Sequence, residues 1–369
     1  MPSLEGEIRR LLRKQWADLP ADAPVSLHRL PHRGSHEIVL ARTATRPARQ
    51  LIVKAPRRRR TAARHETLRR RAETEYHVLT EIAPRISANN PSLRCPRVLG
   101  YEPDAAVLFL EMVDGESLRS LLFGFGRARY RRRLAGVLRL SAEWLSRLHE
   151  VTRSEHERNP FDWVLAELAF PETRRVLRAY VGEAAYQELT GLATRFRSEY
   201  PEFRKPLCRI HGSFLPQHVM VDGAGIYVLD LEASRLGFPY EDLALFAAHY
   251  DLSAPWRRFI AERRMKIEEQ TALCWRVYSG DVESPAKPEL ILRRFTRLLG
   301  MTRFVMLGRC ARYGEDVGAA AGAFADTGSA SLAPSEAPAR SLKAHLLGPW
   351  WRYRLRVGCR QELQALRHA

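Results

Sequence analysis

The order in which two hydrophobic periodicities follow one another constrains this chain more than any other feature. Between residues 25 and 113, short β-prone runs dominate: VSLHRL, HEIVLART, QLIVKAP, PRVLGYE and AVLFLEMV. Their β-branched residues and alternating apolar positions suit strands packed on one or both faces. One long helical stretch interrupts them at about 62–83, with Ala72, Tyr76, Leu79 and Ala83 on one side. The later pattern is helical, at about 129–152, 172–199, 240–250, 256–279 and 289–313. A single β-rich island, residues 207–230, breaks it with LCRIH, HVMVD and IYVLD. A sheet-rich first part joined to a helical second part predicts an α+β, bilobal fold with its hinge at Glu111 to Gly115.

The flanks extend this division. Leu4, Ile8, Leu11 and Leu12 predict an amphipathic helix within residues 1–20. The small lobe is then expected over 21–111 and the helical lobe over 112–314. An Ala/Gly/Ser/Pro-rich linker is expected at 315–340, and a basic segment with Trp350, Trp351 and Tyr353 at 341–369. Two readings of that last segment stand: an interfacial element on an anionic membrane, or a terminal helix docked on the preceding lobe. The second is the commoner use of such a pattern. No repeat of fixed period is present.

Composition narrows the partners. The chain of 369 residues carries 60 Lys plus Arg against 42 Asp plus Glu, a formal charge of +18. Clustered cations would point to nucleic acid, but these are dispersed along the whole chain with few interleaved aromatics, so a nucleic-acid partner is not expected. Only six of the cations are lysines, and Lys54 is the one lysine between Lys14 and Lys205. Five scattered cysteines, with no C-x-x-C, argue against a disulfide framework and a zinc site. With no run of about 18 apolar residues and no signal-peptide core, a cytoplasmic protein is expected.

The chemistry-bearing stretch is RIHGSFLPQHVMVDGAGIYVLDLEASRLGFPYEDLALF, residues 209–246. One strand delivers His211-Gly212, and a hairpin over Asp222-Gly223 returns a second strand that ends at Asp230. Polar positions at strand ends across a hairpin suit a metal and a transferring group held on rigid backbone. A strand-end Asp in an Asx-turn is the other reading.

This stretch resembles the catalytic segment of the aminoglycoside phosphotransferase-like family, the small-molecule kinases of the protein-kinase-like fold. That family shows H-G-D-x-x-x-x-N, a D-x-D/E motif, G-x-P and D-L-A. Here stand His211-Gly212-Ser213, His218, Asp230-Leu231-Glu232, Gly237, Pro239 and Asp242-Leu243-Ala244. LIVK at Lys54, ETEYHVL with Glu75, FLEMVDGESL and RLHE at 147–150 agree with it upstream.

The resemblance implies ATP and Mg²⁺ as cofactors and a small hydroxyl-bearing acceptor, whether aminoglycoside-, choline- or sugar-like. It assigns Lys54 to the α/β-phosphates and Glu75 to holding Lys54. Asp230 falls to the metal, with Glu232 either joining it or facing solvent. The backbone of Glu111 and Val113 would face adenine, and Gly34 in PHRGSH would lie over the phosphates. His211 and Asp242 would be structural supports.

Two positions depart from the pattern. Ser213 stands where the family has its catalytic Asp, and a serine hydroxyl is no base near neutral pH. His218 stands at the metal-binding Asn, as in the macrolide phosphotransferases. Two function classes therefore stay open, an ATP/Mg-dependent phosphotransferase and a nucleotide-binding pseudokinase. His32, His36, His65 and His77 are expected to be surface or packing residues.

Overall fold

Alternation along the strands decides which side of the first sheet each residue faces. In the computed structural model the described residues are 4–15, 24–30, 36–44, 49–57, 62–123, 128–253, 276–277, 286–313 and 356–369. Helix α1 (Leu4–Gln15) precedes strands β1 (Val25–Leu30), β2 (His36–Thr43) and β3 (Gln50–Pro56). Helix α2 (Ala62–His77) follows, and a π-helical turn at Val78–Ile82 leads into α3 (Ala83–Ser87). Strands β4 (Leu93–Arg94), β5 (Val98–Glu102) and β6 (Val107–Glu111) complete this region. The antiparallel sheet has the order β1-β2-β3-β6-β5.

Leu51, Val53, Ala55, Val107 and Phe109 point to one side, where Ile8, Leu11 and Leu12 of α1 cover them. Leu108 and Leu110 point to the other, toward Ala72 and Leu79. With a side-chain period of two, Lys54 must share the α2 side. The expected helix at 62–83 instead runs on to Ser87 through the π turn. Pro84 has no N–H to give the Thr80 carbonyl, and the turn is closed by Ala83 N–H to Val78 O.

After the link come β7 (Glu116–Ser117), α4 (Leu118–Phe123), α5 (Ala128–Val151), β8 (Glu157–Arg158), α6 (Pro160–Ala169), α7 (Pro171–Val181) and α8 (Glu183–Glu199). Then follow β9 (Lys205–Pro206), β10 (Cys208–Ile210), β11 (Val219–Val221), β12 (Ile226–Val228), β13 (Arg235–Gly237) and α9 (Tyr240–Ser253). Helix α10 (Lys287–Tyr313) and a last helix, α11 at 356–367, close the described chain. One core runs without a break from α2 and β6 through Trp144 and Leu148 of α5 to Val219, Val228 and Leu231. A second is built from α6 to α11, around Phe161, Phe196 and Phe295.

The α+β division with a sheet-rich beginning and a helical remainder holds. Two helical expectations need correction. The single helix at 172–199 is two, because Gly182 adopts φ 92° between α7 and α8, a conformation that ends a right-handed helix. Helix α6 was not foreseen, although Asn159 caps it by accepting the Phe161 N–H and Pro160 opens it.

The docked reading describes residues 356–367: Cys359, Leu363 and Leu366 are buried in the second core, and Glu362 pairs with Arg294 and Arg297. Trp350, Trp351 and Tyr353 lie outside the described residues. So do Gly34, His32, the 315–340 segment and nearly all of 256–279. Among the described residues no helix is long and apolar enough to cross a membrane.

Candidate active site

Strand β3 brings Lys54 to the α2 side of the sheet, 6 % exposed, and α2 brings Glu75, 2 % exposed, to meet it. The Lys54 ammonium donates to Glu75 Oε2 at 2.7 Å and to Asp230 Oδ1 at 2.6 Å. Glu232 Oε2 lies 2.7 Å from the same nitrogen. Three carboxylates thus surround one ammonium, two as hydrogen-bond acceptors and the third as an ion-pair contact. Burial alone would lower the pKa of Lys54, but Asp230, Glu232 and Glu75 together push it well above its ordinary value. Burial and the two neighbouring carboxylates raise Glu75 despite Lys54, whereas Lys54 overcomes burial to hold Asp230 low.

Asp230 follows β12 in the left-handed conformation, φ 65°, which Asp tolerates better than most residues. Its two oxygens face different partners. While Oδ1 takes Lys54, Oδ2 lies 3.4 Å from His218 Nε2. His218 donates its Nδ1–H to the Ser213 carbonyl at 2.9 Å, which aims Nε2 toward Asp230. The Leu231 N–H reaches back to Glu75 Oε1 at 3.3 Å, so β3, α2 and the residues after β12 meet at one point.

The loop that carries Ser213 is fixed from beneath. Asp242, fully buried on α9, accepts the His211 N–H at 2.7 Å and the Gly212 N–H at 2.8 Å. His149 of α5 lies 3.2 Å from the same carboxylate. Burial would raise the pKa of Asp242, yet His149, His211 and these backbone donors hold it low. The His211 ring donates Nε2–H to the Leu229 carbonyl at 3.0 Å and sits against Trp144 and Phe214. Its buried ring has a lowered pKa. Gly212 has φ 80°, and a Cβ there would run into the Ala233 carbonyl.

Sequence reading placed Lys54, Glu75, Asp230, Glu232, His218, His211 and Ser213 together; in the structure the first four meet directly, His218 faces Asp230, and Ser213 and the buried His211 stand on the adjoining loop. Glu111 ends β6, where its N–H is donated to the Arg97 carbonyl at 2.9 Å and its carboxylate faces Arg97; Val113 follows, half-buried. Gly34 lies outside the described residues. Two residues were missed. His36 was expected at the surface or in packing, yet its Nδ1 lies 3.0 Å from Glu232 Oε2, and Arg71 lies 3.9 Å from Oε1 of that carboxylate. Glu232 therefore does not face solvent: its side chain is 12 % exposed and ringed by cations. His65 and His77 are exposed.

Oxygens of Glu75, Asp230 and Glu232 lie within 4.8 Å of one another, a donor set suited to a hard cation. Their shared centre is the Lys54 ammonium, however, so the free oxygen for a divalent ion is Asp230 Oδ2. His218 Nε2 faces it. The residues fit a metal at that edge, with an imidazole less usual for magnesium than an oxygen ligand.

Residues 26–271 match the phosphotransferase enzyme family. Among solved structures, choline kinase from Cryptosporidium parvum Iowa II is 13 % identical, over 85 % of this chain and 91 % of that one, at a TM-score of 0.50. The ethanolamine kinase of Plasmodium vivax is 11 % identical, over 86 % of each chain, at 0.51. The aminoglycoside phosphotransferase APH(4)-Ia is 13 % identical, over 96 % and 97 %, at 0.50. At these identities the likeness is one of fold. No curated protein matches the sequence.

Proposed function

Because this chain belongs to the phosphotransferase enzyme family, we propose that it transfers the γ-phosphoryl group of ATP to a hydroxyl of a small molecule. The observation that carries the reading is the Lys54 ammonium, buried at the meeting of β3, α2 and the Asp230-Leu231-Glu232 turn. Phosphoryl transfer depends on positioning and on neutralising charge, and a compact ammonium braced by a buried Glu supplies both.

Lys54 holds the phosphates and Glu75 holds Lys54. Asp230 and His218 would hold Mg²⁺, which when bound would draw charge from the phosphate oxygens. Ser213 faces the acceptor hydroxyl and orients it by hydrogen bonding. It takes no proton, so the hydroxyl keeps its proton until the bond to phosphorus has largely formed. The proton then goes to an oxygen of the transferred phosphoryl group, from which it passes to solvent as ADP leaves. A loose transition state tolerates that order. The acceptor class is an aminoglycoside-, choline- or sugar-like hydroxyl compound, and the Glu111–Val113 backbone borders the base.

Purified protein with ATP, Mg²⁺ and a panel of such acceptors tests the reading. Turnover of one acceptor is expected, lost in Lys54→Met and Asp230→Asn. Ser213→Asp, by restoring a base, is expected to raise the rate about 10²-fold. If Mg²⁺ and ATP stabilise the protein yet neither wild type nor Ser213→Asp phosphorylates any acceptor, the chain is a nucleotide-binding module and the enzymatic reading fails.

A further inference from the structure

Lys54 donates to Glu75 and Asp230, and Glu232 Oε2 lies 2.7 Å from the same ammonium. A phosphate must therefore compete with three carboxylates for one cation, and binds by displacing one of them. Which one leaves follows from how each is held. Glu75 is 2 % exposed and also accepts the Leu231 N–H. Asp230 is 30 % exposed, with its second oxygen turned toward His218. Glu232 is 12 % exposed, and the oxygen that meets Lys54 also meets His36 at 3.0 Å. Asp230 is the loosest of the three.

We propose that His36 is a positioning residue for Lys54, acting through Glu232. This rests on reading Lys54 as the phosphate-binding cation. His36 opens β2 opposite Pro56 of β3, and two residues on, Ile38 pairs with Lys54 itself. The imidazole and the ammonium therefore ride on one rigid pair of strands and grip the same carboxylate from two directions. When Asp230 turns away, Glu232 stays, and Lys54 is left between Glu75 and Glu232, freed of one of its two hydrogen-bond acceptors. The contact also ties the strand that follows residues 31–35 to the turn after β12.

The test compares substitutions at position 36 in the full-length chain. His36→Ala is expected to raise KM for ATP about tenfold or more, the usual cost of losing a group that orients a site residue, with kcat little changed. His36→Asn, whose amide donates from near the position of Nδ1, is expected to restore KM. His36→Gln, whose amide lies nearer Nε2, is not. In a Glu232→Gln background, His36→Ala is expected to add nothing.

An unchanged KM in His36→Ala overturns the proposal. So does failure of Asn and Gln alike together with a fall in Tm, which would mark a packing role. A second readout needs no turnover. Without ligand, His36→Ala is expected to speed amide hydrogen exchange at both 36–43 and 229–234, and unchanged exchange also overturns it. If the wild type binds no nucleotide, the kinase reading fails by itself, and the exchange experiment alone decides the contact.

Discussion

His249 lies on α9 with its ring edge against Phe304 at 5.1 Å. Burial, with Arg119 and His218 adding repulsion, pushes its pKa down from 6.5 to about 3. The unfolded chain takes up that proton near the ordinary value while the folded chain refuses it, so stability falls as pH drops from about 6.5 toward about 3. His211, lowered by the same burial, acts in the same direction. The carboxyls of Asp230, Glu232, Glu241 and Asp242, all held low, give up their stabilisation only as pH falls through the carboxylate range.

In the window between about pH 6.5 and 5 the histidines therefore dominate, opposed by Glu75, whose raised carboxyl takes up its proton earlier in the folded chain. Tm measured across it is expected to fall for the wild type. His249→Gln is expected to flatten that slope by about 2 kcal/mol at pH 5, at about 1.4 kcal/mol per unit for one group. An equal slope in the variant would show that His249 titrates normally. At this scale Lys54, Glu75 and Asp230 were legible because they sit in ordered motifs. His36 was not. Its partner lies far along the chain, and no local pattern marks a strand-opening histidine as one that will meet a carboxylate.

The loop between β10 and β11 carries its own sharp test. Gly212 holds φ 80° against the Ala233 carbonyl, with its N–H on Asp242. Gly212→Ala must strain the backbone or push the loop off its support, at a cost of about 1–3 kcal/mol. The expected outcome is a lower Tm and lost turnover, with ATP binding retained because Lys54, Glu75 and Asp230 stand on other segments. Full turnover in the variant would mean that the Gly212 conformation is dispensable.

Elements were readable where the pattern was strong. The first three strands stand at VSLHRL, HEIVLART and QLIVKAP because alternation and turn residues agree there. The break at Gly182 was hidden, since helical periodicity persists on either side and one glycine is tolerated within many helices. Asn159-Pro160 did carry a readable helix start, a cap followed by proline, but its short apolar run lacked a clear period.

Across the described residues, three apolar clusters divide the work of stability: the two cores named above and the one between α1 and the first sheet. The second core ends with α11, whose Cys359, Leu363 and Leu366 are buried and whose Arg367 pairs with Glu188 of α8. A chain ending at residue 355 would expose their partners on α8 and α10 and lose about 1.5–3 kcal/mol for each buried leucine. Such a truncation is expected to lower Tm sharply or to aggregate, judged by thermal unfolding and soluble yield. An unchanged Tm would place α11 outside the folded core.

The first core runs from α2 to the hairpin of β11 and β12, and at its edge Lys54 joins carboxylates from both sides of the cleft. The consequence is one of timing. On the proposed reading, a Lys54 already engaged by its own carboxylates cannot take a phosphate at every encounter with ATP. Capture has to wait for those contacts to part, so its observed rate levels off as ATP rises, at a ceiling set by opening rather than by diffusion.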